Sequence, residues 1–371
     1  MHVLMTADTL GGVWNYAREL ATGLSQRGVR VTLVSFGEIP SPEQTQWMEG
    51  LGRFDYHPTG FKLEWMRDST EDLEHSSEYL QNLIDEVRPD VLHLNQYFYG
   101  AMHSPVPKVV CAHSDVVGWW QAVRGCDPPS SSWIDEYRQL VYSGLAGADT
   151  VVAPSQWMLQ SLAENYLEPA AGRVIHNGRN PTLFNPHISK EDFVMSVGRV
   201  WDAGKQVSLL AQQDLPCEVF LIGSAQDPNG TSQVSFFEAA GERKVNINFK
   251  GTQTEAQLRQ IYGRCSIYAA TSRYEPFGLA PLEAAFSRCA LVANDIPSLR
   301  EIWGDSALYC HRNDARSLGV TIRSLLSDSE LRREYANRAL RHAQLNYTAA
   351  RMTDEYLGLY KGLIGAEALA A

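Results

Sequence analysis

Short apolar runs alternate with segments of helical periodicity along the first half of the chain. The first run, Met1–Thr6, is followed by Gly11 and Gly12, and the next segment, Trp14–Arg27, repeats apolar residues at four-residue spacing. That spacing is typical of a helix packed on a sheet, and Gly28 is its expected stop. The same reasoning predicts strands at Val29–Phe36, Val91–Asn95, Lys108–Ala112, Thr150–Ala153 and Arg173–His176, and helices at Leu73–Val87 and Gln156–Tyr166.

The alternation starts again after Asn185 and Pro186 and ends in a helical tail that begins at Ala315. Strands that alternate with helices form parallel sheets with helices on both faces, so the predicted fold class is α/β with two doubly wound domains. Ligands of such sheets bind at the carboxyl ends of the strands, which predicts a site in the cleft between the domains. The predicted strands are Phe193–Val197, Glu218–Ile222, Val245–Phe249, Ser266–Ala270 and Ala290–Ala293, and the predicted helices are Val207–Ala211 (its first turn), Glu255–Arg264 and Leu279–Phe286.

Composition narrows the class of protein. A chain of 371 residues with 44% hydrophobic and 20% charged residues has enough apolar material for two cores. This composition excludes a disordered chain, a collagen and a coiled coil, and the sequence has no apolar run of 18 residues that could cross a membrane. The prolines and serines of Cys126–Ser132 predict a loop there.

The net charge of −11 argues against nucleic-acid binding, which needs a basic surface. Residues 1–185 carry 12 Lys+Arg against 22 Asp+Glu, which also argues against more than transient contact with an anionic membrane. The six cysteines show no C-x-x-C spacing and are expected to be buried in a reducing compartment. Because the first residues read as a strand and not as a leader peptide, the expected location is the cytoplasm.

The segment SRYEPFGLAPLEAA, residues 272–285, is the strongest functional signal. Glu275 and Glu283 are separated by seven residues, Pro276 favours an extended conformation at Glu275, and Gly278 lets the backbone approach a ligand. A helix that begins after a glycine offers free N–H groups and a positive dipole end to a phosphate. One carboxylate could accept from sugar hydroxyls and the other from a ribose. The alternative is a surface loop before an amphipathic helix with an incidental acid.

With this E-x7-E segment the chain resembles the retaining GT-B glycosyltransferases of family 4, the group 1 transferases. The resemblance implies two Rossmann-like domains: residues 1–185 for the acceptor and residues 186–352 for the nucleotide-sugar donor. It also implies that a last helix, about 353–371, packs back on the first domain. The donor-binding residues that it implies in this segment are Glu275, which orients the donor sugar during catalysis, Phe277, Gly278, Leu279 and Glu283.

The segment VGRVWDAGK, residues 197–205, carries two cations after a predicted strand. Arg199 and Lys205 suit a diphosphate, because an arginine can bind two of its oxygens at once. The resemblance implies that this pair binds the donor diphosphate and offsets charge on the departing nucleotide in catalysis. The alternative is an exposed basic loop.

Two further positions in the first domain match the family. Gly11 and Gly12 lie between the first strand and the first helix, where similar enzymes approach the donor phosphates, although G-x-G-x-x-G is absent. His113, in CAHSD, closes a predicted strand, and the resemblance implies that it lies near the donor sugar and the reacting carbon. The alternative for His113 is a strand-end histidine satisfied within the core.

Candidate acceptor residues carry the weakest signals. Arg179, in RVIHNGRNP, stands where the family has a small apolar residue. It could reach the carboxylate of a uronic-acid donor or an acidic acceptor, but a structural salt bridge or a phosphate contact is the favoured interpretation. Seven of the nine tryptophans precede residue 160, and Trp119 and Trp120 follow His113 closely. Aromatic faces bind sugars, but they also dominate cores.

The sequence has no D-x-D, H-E-x-x-H or Cys/His cluster and no P-loop, so neither a metal nor another cofactor is expected. The predicted activity is metal-independent transfer of a hexosyl unit from a nucleotide-sugar to a hydroxyl of a saccharide or glycoconjugate, as in polysaccharide biosynthesis. Retention is expected, with the leaving diphosphate helping to take the acceptor proton. A UDP-sugar is favoured by family frequency, with the base near Gly223 and Gly251–Thr254. The alternatives are a GT-B phosphorylase, a nucleotide-sugar epimerase, a dinucleotide-binding oxidoreductase and a catalytically idle binding subunit.

Overall fold

A computed structural model describes residues 1–225 and 246–370, with side chains as far as residue 365. The chain divides into two compact units. Unit 1 comprises Met1–Gln121, Cys126–Gly178 and Ala349–Ala371, and unit 2 comprises Ala122–Gly125 and Arg179–Thr348. Across the described ranges, every helix is too short or too polar to cross a bilayer.

Unit 1 is built on a sheet of seven parallel strands in the order β3-β2-β1-β4-β5-β6-β7. The order reverses between β1 and β4, which is the switch point where doubly wound sheets bind ligands. Its strands are β1 (His2–Asp8), β2 (Arg30–Phe36), β3 (Phe54–Pro58), β4 (Val91–Leu94), β5 (Lys108–Cys111), β6 (Thr150–Ala153) and β7 (Gly172–Val174).

Helices connect these strands, with short 3-10 turns at Gln46–Met48 and Phe98–Ala101. The first six helices in chain order are α1 (Gly12–Gln26), α2 (Pro42–Thr45), α3 (Thr70–Val87), α4 (Val116–Arg124), α5 (Ser132–Gly147) and α6 (Gln156–Asn165).

In the described part of unit 2, six parallel strands follow the order β10-β9-β8-β11-β12-β13, with a switch point between β8 and β11. The strands are β8 (Glu191–Val197), β9 (Glu218–Ile222), β10 (Ile247–Gly251), β11 (Cys265–Ala270), β12 (Ala290–Asn294) and β13 (Leu308–Cys310). The helices described after α6 are α7 (Ser208–Ala211), α8 (Glu255–Arg264), α9 (Leu279–Phe286), α10 (Pro297–Trp303), α11 (Ala315–Ser327), α12 (Ser329–Asn346) and α13 (Ala349–Ala370). The helix α13 belongs to unit 1. Short 3-10 turns lie at Pro181–Leu183 and Gly304–Ser306.

Both sheets are buried on both faces. In β1, Leu4 packs in the core on one face while Val3 and Met5 pack on the other, and in β11 Tyr268 and Ile267 divide in the same way. Such near-continuous apolar strands are typical of parallel sheets covered by helices. The predicted α/β class with two doubly wound domains is confirmed.

The last helix packs inside unit 1. Met352, Tyr356 and Tyr360 of α13 belong to the same apolar cluster as Tyr16 and Leu20 of α1. We predicted this helix from about residue 353 to residue 371; it begins at Ala349, and residue 371 lies outside the described residues.

The main segment of unit 2 begins at Arg179, ahead of the predicted boundary at residue 185, and ends at Thr348, ahead of residue 352. Arg179 pairs with Thr348 as an isolated bridge and its N–H donates to the Tyr347 carbonyl at 3.1 Å. Phe184 already lies in the unit 2 core. Unit 2 therefore begins before Asn185 and Pro186, where the predicted alternation restarts.

Among the described strands and α-helices, six were not predicted: β3, α2, α4, α5, α10 and β13. The two strands are short and lie at sheet edges, where a half-exposed strand gives little apolar signal. The loop predicted over Cys126–Ser132 ends one residue early, because Ser131 caps α5 by accepting a hydrogen bond from the Ile134 N–H. The strand predicted at Val245–Phe249 is β10, and its predicted first residue, Val245, lies outside the described residues.

Candidate active site

The unit 2 switch point brings Lys205 and Glu275 together. Lys205 follows β8, Glu275 follows β11, and these strands are neighbours in the sheet. The Lys205 Nζ lies 2.6 Å from the Glu275 Oε2, and the Ser272 hydroxyl donates to the same oxygen at 2.8 Å. A largely buried ammonium–carboxylate pair therefore lies at the carboxyl end of the sheet.

The loop after β8 holds the Lys205 backbone in place. The Lys205 N–H donates to the Asp202 carbonyl at 2.9 Å, and the Thr271 hydroxyl donates to the Lys205 carbonyl at 2.7 Å. The Lys205 side chain runs over Gly198, where a Cβ would lie 3.3 Å from its methylene carbons. Gly198 thus gives the lysine stem its path, with φ at +156°.

Arg199 is the exposed cation of the same loop. About half of its side chain (52%) is exposed, and its Nη2 lies 2.8 Å from the Asp202 Oδ2. Its guanidinium also lies 5.4 Å from the centre of the Trp201 ring. Arg199 and Lys205 therefore share one loop, but Lys205 is fixed from several sides, while Arg199 is half exposed and contacts the buried Asp202 carboxylate.

The residues between Glu275 and α9 form the bend that leads into the helix, and they are buried. Gly278 has φ +92° and precedes the helix, as the sequence predicts. The Phe277 side chain is 2% exposed and stacks edge-on against Tyr347 at 5.3 Å, and Leu279 packs on the same core. The predicted donor contact of Phe277 would therefore have to come from its backbone, and Leu279 is the first residue of α9, where N–H groups lack partners within the helix.

Glu283 lies inside unit 2, on α9, and faces Arg179. The Arg179 Nε lies 3.0 Å from the Glu283 Oε1, and the two side chains are 3% and 9% exposed. The Arg179 guanidinium also lies 5.7 Å from the centre of the Phe184 ring. Burial, reinforced by the Glu283 carboxylate, raises the pKa of the Tyr262 hydroxyl. The contact between Arg179 and Glu283 has the geometry of a structural salt bridge, which was the favoured interpretation of Arg179. To bind the carboxylate of a substrate, Arg179 would have to give up this salt bridge.

In unit 1 the loop after β1 is fixed by its own polar side chains. The Asp8 carboxylate accepts from the Leu10 N–H at 2.6 Å, and the Thr9 hydroxyl donates to the Glu38 carbonyl at 2.7 Å. Gly11 has φ +88°, no atom of the described part of the chain lies within 4 Å of the position of a Cβ there, and Gly12 begins α1. The positive φ angle favours glycine at position 11, because other residues rarely adopt this conformation.

His113 lies just beyond the end of β5, at the same edge of the unit 1 sheet. Its Nε2 lies 2.7 Å from the Asn95 Oδ1, and its ring meets the edge of Tyr16 at 4.5 Å. Burial lowers the pKa of His113 to about 4, so the ring is neutral at pH 7. Asn95, which follows β4, is a site residue that we missed; a polar residue after a buried strand at the switch point was the available signal.

His93, in β4, is another histidine of unit 1. It is fully buried, with Nδ1 2.7 Å from the Tyr360 hydroxyl and Nε2 3.2 Å from the Tyr16 hydroxyl. Burial lowers its pKa to about 3. It is a core histidine with satisfied ring nitrogens.

Trp119 and Trp120 lie side by side on α4 in unit 1. Their ring centres are 5.9 Å apart at an interplanar angle of 81°, and both side chains are half-buried. This exposure fits either packing or one sugar-facing ring, so the predicted acceptor role stays a prediction.

The candidate residues form two groups, one in each unit. Within the described ranges, no cluster of three or more His, Cys, Asp or Glu side chains is arranged to bind a metal ion. Unit 1 carries Gly11, Gly12, His113, Trp119 and Trp120; unit 2 carries Arg179, Arg199, Lys205, Glu275, Phe277, Gly278, Leu279 and Glu283.

Two family models match consecutive parts of the chain. Residues 10–183 match the model for Glycosyltransferase Family 4, and residues 184–342 match the model for Glycosyl transferases group 1.

Curated relatives point the same way. The chain is 25% identical over 301 residues to the alpha-maltose-1-phosphate synthase of Mycolicibacterium smegmatis, which covers 72% of this chain and 75% of that protein. It is 34% identical over 106 residues to the lipopolysaccharide core biosynthesis mannosyltransferase LpcC of Rhizobium leguminosarum bv. viciae, over 28% of this chain and 30% of that protein.

Solved structures share the fold along the whole chain. The sucrose-phosphate synthase of Thermosynechococcus elongatus superposes with a TM-score of 0.79 at 19% identity, over 99% of this chain and 100% of that one. HepE of Anabaena, in its complex with UDP-glucose, superposes with a TM-score of 0.75 at 16% identity, over 98% and 100% of the two chains.

Proposed function

Because the chain belongs to the group 1 glycosyltransferases of the GT-B fold, we propose that it transfers a hexosyl unit from a nucleotide-sugar to a hydroxyl of a saccharide or glycoconjugate. We further propose that the anomeric configuration is retained, that no metal takes part and that a UDP-sugar is the donor. The pair formed by Lys205 and Glu275 at the unit 2 switch point carries this proposal.

In the proposed reaction the two members of that pair act on different parts of the donor. Lys205 and Arg199 bind the diphosphate and offset the negative charge that grows as the sugar–phosphate bond breaks. Glu275 accepts hydrogen bonds from the hydroxyls of the donor sugar and orients it. The ion pair between Lys205 and Glu275 holds both groups in one orientation before the donor arrives, which is the preorganisation that electrostatic catalysis needs.

The fate of the proton follows from the chemistry of the leaving group. The departing diphosphate is an anion on the same face as the incoming acceptor hydroxyl, so it can take the acceptor proton while the sugar has oxocarbenium character. The bond from the anomeric carbon to the diphosphate breaks, and the bond to the acceptor oxygen forms on the same face. Arg199 and Lys205 supply the charge that a divalent cation would otherwise supply to the diphosphate.

Several observations support the finer parts of the proposal. HepE of Anabaena is recorded in complexes with UDP and UDP-glucose, which supports a UDP-sugar donor. The relatives named as mannosyltransferases and as a maltose-1-phosphate synthase support a hexosyl unit. All six cysteines are free, which supports a reducing compartment such as the cytoplasm.

A thermal-shift panel without added metal tests the donor. UDP, GDP, ADP, dTDP and NAD are each added at a large excess, since a ligand at 100 times its dissociation constant stabilises the native state by about 2.7 kcal/mol. The expected result is a shift with UDP. A shift with GDP would replace the proposed base, and a shift with NAD alone would favour the oxidoreductase and contradict the transferase.

Transfer itself is tested with the matching nucleotide-sugars and a panel of saccharide acceptors. The expected product keeps the anomeric configuration of the donor sugar, read by the proton coupling constant at the anomeric carbon. An inverted product would contradict retention while leaving the transferase activity intact. Turnover of a glycoside with inorganic phosphate and without nucleotide would instead identify a phosphorylase.

A further inference from the structure

The side-chain amide of Asn95 has a fixed orientation in unit 1. Its Nδ2 lies 2.5 Å from the backbone carbonyl of Thr6, and its backbone N–H donates to the Thr6 hydroxyl at 2.9 Å. A carbonyl oxygen can only accept, so the amide nitrogen must face β1 and the Oδ1 must face the other way. The strands β1 and β4 are neighbours at the switch point, which makes this contact part of the sheet frame.

The orientation of Asn95 decides which ring nitrogen of His113 carries the proton. The Asn95 Oδ1 lies 2.7 Å from the His113 Nε2, and an amide oxygen can only accept. Burial lowers the pKa of His113 to about 4, so the ring carries one proton near neutral pH. That proton is on Nε2, and Nδ1 is left with a lone pair.

The ring of His113 is held in this position by aromatic packing. The buried Tyr16 ring meets it at 4.5 Å with an interplanar angle of 64°. A flip of the ring about the Cβ–Cγ bond exchanges Nε2 with Cε1, so it would place a carbon against the amide oxygen of Asn95 and give up the hydrogen bond. Among the residues that the structure describes, no hydrogen bond is recorded at Nδ1, and His113 itself is half-buried. The accepting nitrogen is therefore available to a ligand.

We propose that Asn95 is a positioning residue that fixes His113 as the neutral Nε2–H tautomer, so that its Nδ1 accepts a hydrogen bond from a hydroxyl of the sugar substrate. A carboxylate or a phosphate oxygen has no proton to donate near neutral pH, so this position selects a hydroxyl against an acidic group. The substrate class rests on the proposed function, whereas the tautomer does not.

The tautomer is measured by two-bond ¹⁵N–¹H correlation spectra of the full-length protein labelled on histidine nitrogens, at pH 8. The expected His113 signal is that of a protonated Nε2 and an unprotonated Nδ1. The same spectra contain two references: the His342 Nε2 lies 2.8 Å from the Ile302 carbonyl and must donate, and the His176 Nδ1 lies 2.8 Å from the Pro154 carbonyl and must donate. A His113 signal of the His176 type, or of a doubly protonated ring, would overturn the proposal.

Two substitutions separate the tautomer from the structural contact with Thr6. Asn95→Asp keeps an acceptor for the Nε2–H but cannot donate to the Thr6 carbonyl, while Asn95→Ala loses both contacts. We expect Asn95→Asp to keep the Nε2–H signal and Asn95→Ala to show both tautomers. Retention of a single Nε2–H tautomer in Asn95→Ala would show that Asn95 does not set it. If Asn95→Ala does not fold, loss of the Nε2–H signal in Asn95→Asp overturns the proposal by itself.

Ligand titration tests the substrate class on the same spectra. UDP-glucose and UDP-glucuronate are the probes, and binding is followed independently through the thermal shift. Bound UDP-glucose should move the Nδ1 resonance towards that of a hydrogen-bonded nitrogen, and kcat/KM in sugar transfer should fall by roughly threefold to tenfold in Asn95→Ala and less in Asn95→Asp. Tighter binding of UDP-glucuronate would contradict the hydroxyl preference. Absence of any nucleotide binding would contradict the proposed function and leave the tautomer result standing.

Discussion

The Arg179 guanidinium lies 3.0 Å from the Glu283 carboxylate, and both side chains are almost completely buried. Arg179 is the first residue of unit 2 in its main segment, and Glu283 is in the middle of α9, more than 100 residues later in the sequence. The backbone of Arg179 is tied at the same time to Tyr347, at the end of that unit. This ion pair therefore connects the first residue of the main segment of unit 2 to α9, the helix that follows Glu275.

Arg179→Met should strongly destabilise the protein. Removing one partner of a buried pair leaves an uncompensated charge, which costs about 3–5 kcal/mol, whereas removing both partners can be nearly neutral. The free energy of unfolding is measured with urea and the fluorescence of tryptophan, which includes the buried Trp303 of unit 2.

The double variant Arg179→Met/Glu283→Leu is the matched control, and it should recover most of the lost free energy. Arg264→Met breaks the exposed pair of Arg264 with Glu191 and should change the unfolding free energy little. If Arg179→Met were no less stable than Arg264→Met, the ion pair between Arg179 and Glu283 would not contribute to the stability of the folded state.

Lys205→Met should remove nucleotide binding and most of the activity. The variant loses the ammonium group that we propose binds the diphosphate. Of the two groups that contact the Glu275 Oε2, the Lys205 Nζ and the Ser272 hydroxyl, only the hydroxyl remains. Loss of one preorganised group of this kind costs about 10²–10³-fold in kcat. The measurements are kcat/KM for sugar transfer and the thermal shift with UDP.

Lys361→Met is the control for the loss of a positive charge, because Lys361 lies exposed on α13 in unit 1. It should behave as the unaltered protein in both measurements. Full activity in Lys205→Met would remove Lys205 from the site, while a loss restricted to KM would limit its role to binding.

Gly23→Val should loosen the last helix from α1. A Cβ at Gly23 would lie 2.2 Å from the Thr353 Oγ1 and 3.0 Å from its Cγ2, so α1 and α13 could not keep their separation. Overpacking of a tight contact costs about 1–3 kcal/mol, which thermal unfolding detects.

Gly358→Ala is the control on the same helix, where a Cβ would meet no atom of the described residues within 4 Å. Alanine is a better helix former than glycine, so this variant should gain up to about 1 kcal/mol. Equal melting temperatures for Gly23→Val and the unaltered protein would contradict the close packing of the two helices.

Local sequence motifs predicted the site residues that follow strands, but they did not predict the salt bridges between residues distant in the sequence. Lys205 and Glu275 were each found from a motif at a strand end, and the switch point brings them within 2.6 Å. The Arg179 partner could not be read from its own segment, since a salt bridge across 104 positions depends on how the chain packs. The two parallel sheets followed from the alternation of apolar runs and helical periods, whereas the GT-B fold was expected only from the resemblance of the E-x7-E segment to the family.

Side-chain direction was the other feature that the sequence did not supply. The resemblance implied a donor contact for Phe277, yet its ring packs in the core against Tyr347, so that contact would have to come from its backbone. Asn95 follows β4 and carries no motif of its own, and the histidine in that strand, His93, is a satisfied core residue. A search for polar residues directly after each strand at a switch point would have found Asn95.

Glu64 should make the stability of the protein depend on pH. Its two carboxylate oxygens accept from the Tyr97 and Phe98 N–H groups at 3.0 and 2.7 Å. Burial outweighs these hydrogen bonds and raises the pKa of Glu64 from 4.5 to about 7. The folded state therefore binds a proton more tightly than the unfolded state, so that stability falls as the pH rises from about 4.5 to about 7 and is constant above that range.

The difference in unfolding free energy between Glu64→Gln and the unaltered protein isolates this effect. Glutamine has one accepting oxygen for two N–H donors, which gives an offset that does not vary with pH, and the titrations of His93 and His113 are common to both proteins. Relative to the unaltered protein, the variant should gain stability between pH 5 and pH 8, by at most roughly 3 kcal/mol. A difference that stays constant across this range would show that Glu64 titrates normally, and a difference of the opposite sign would show that its hydrogen bonds outweigh its burial.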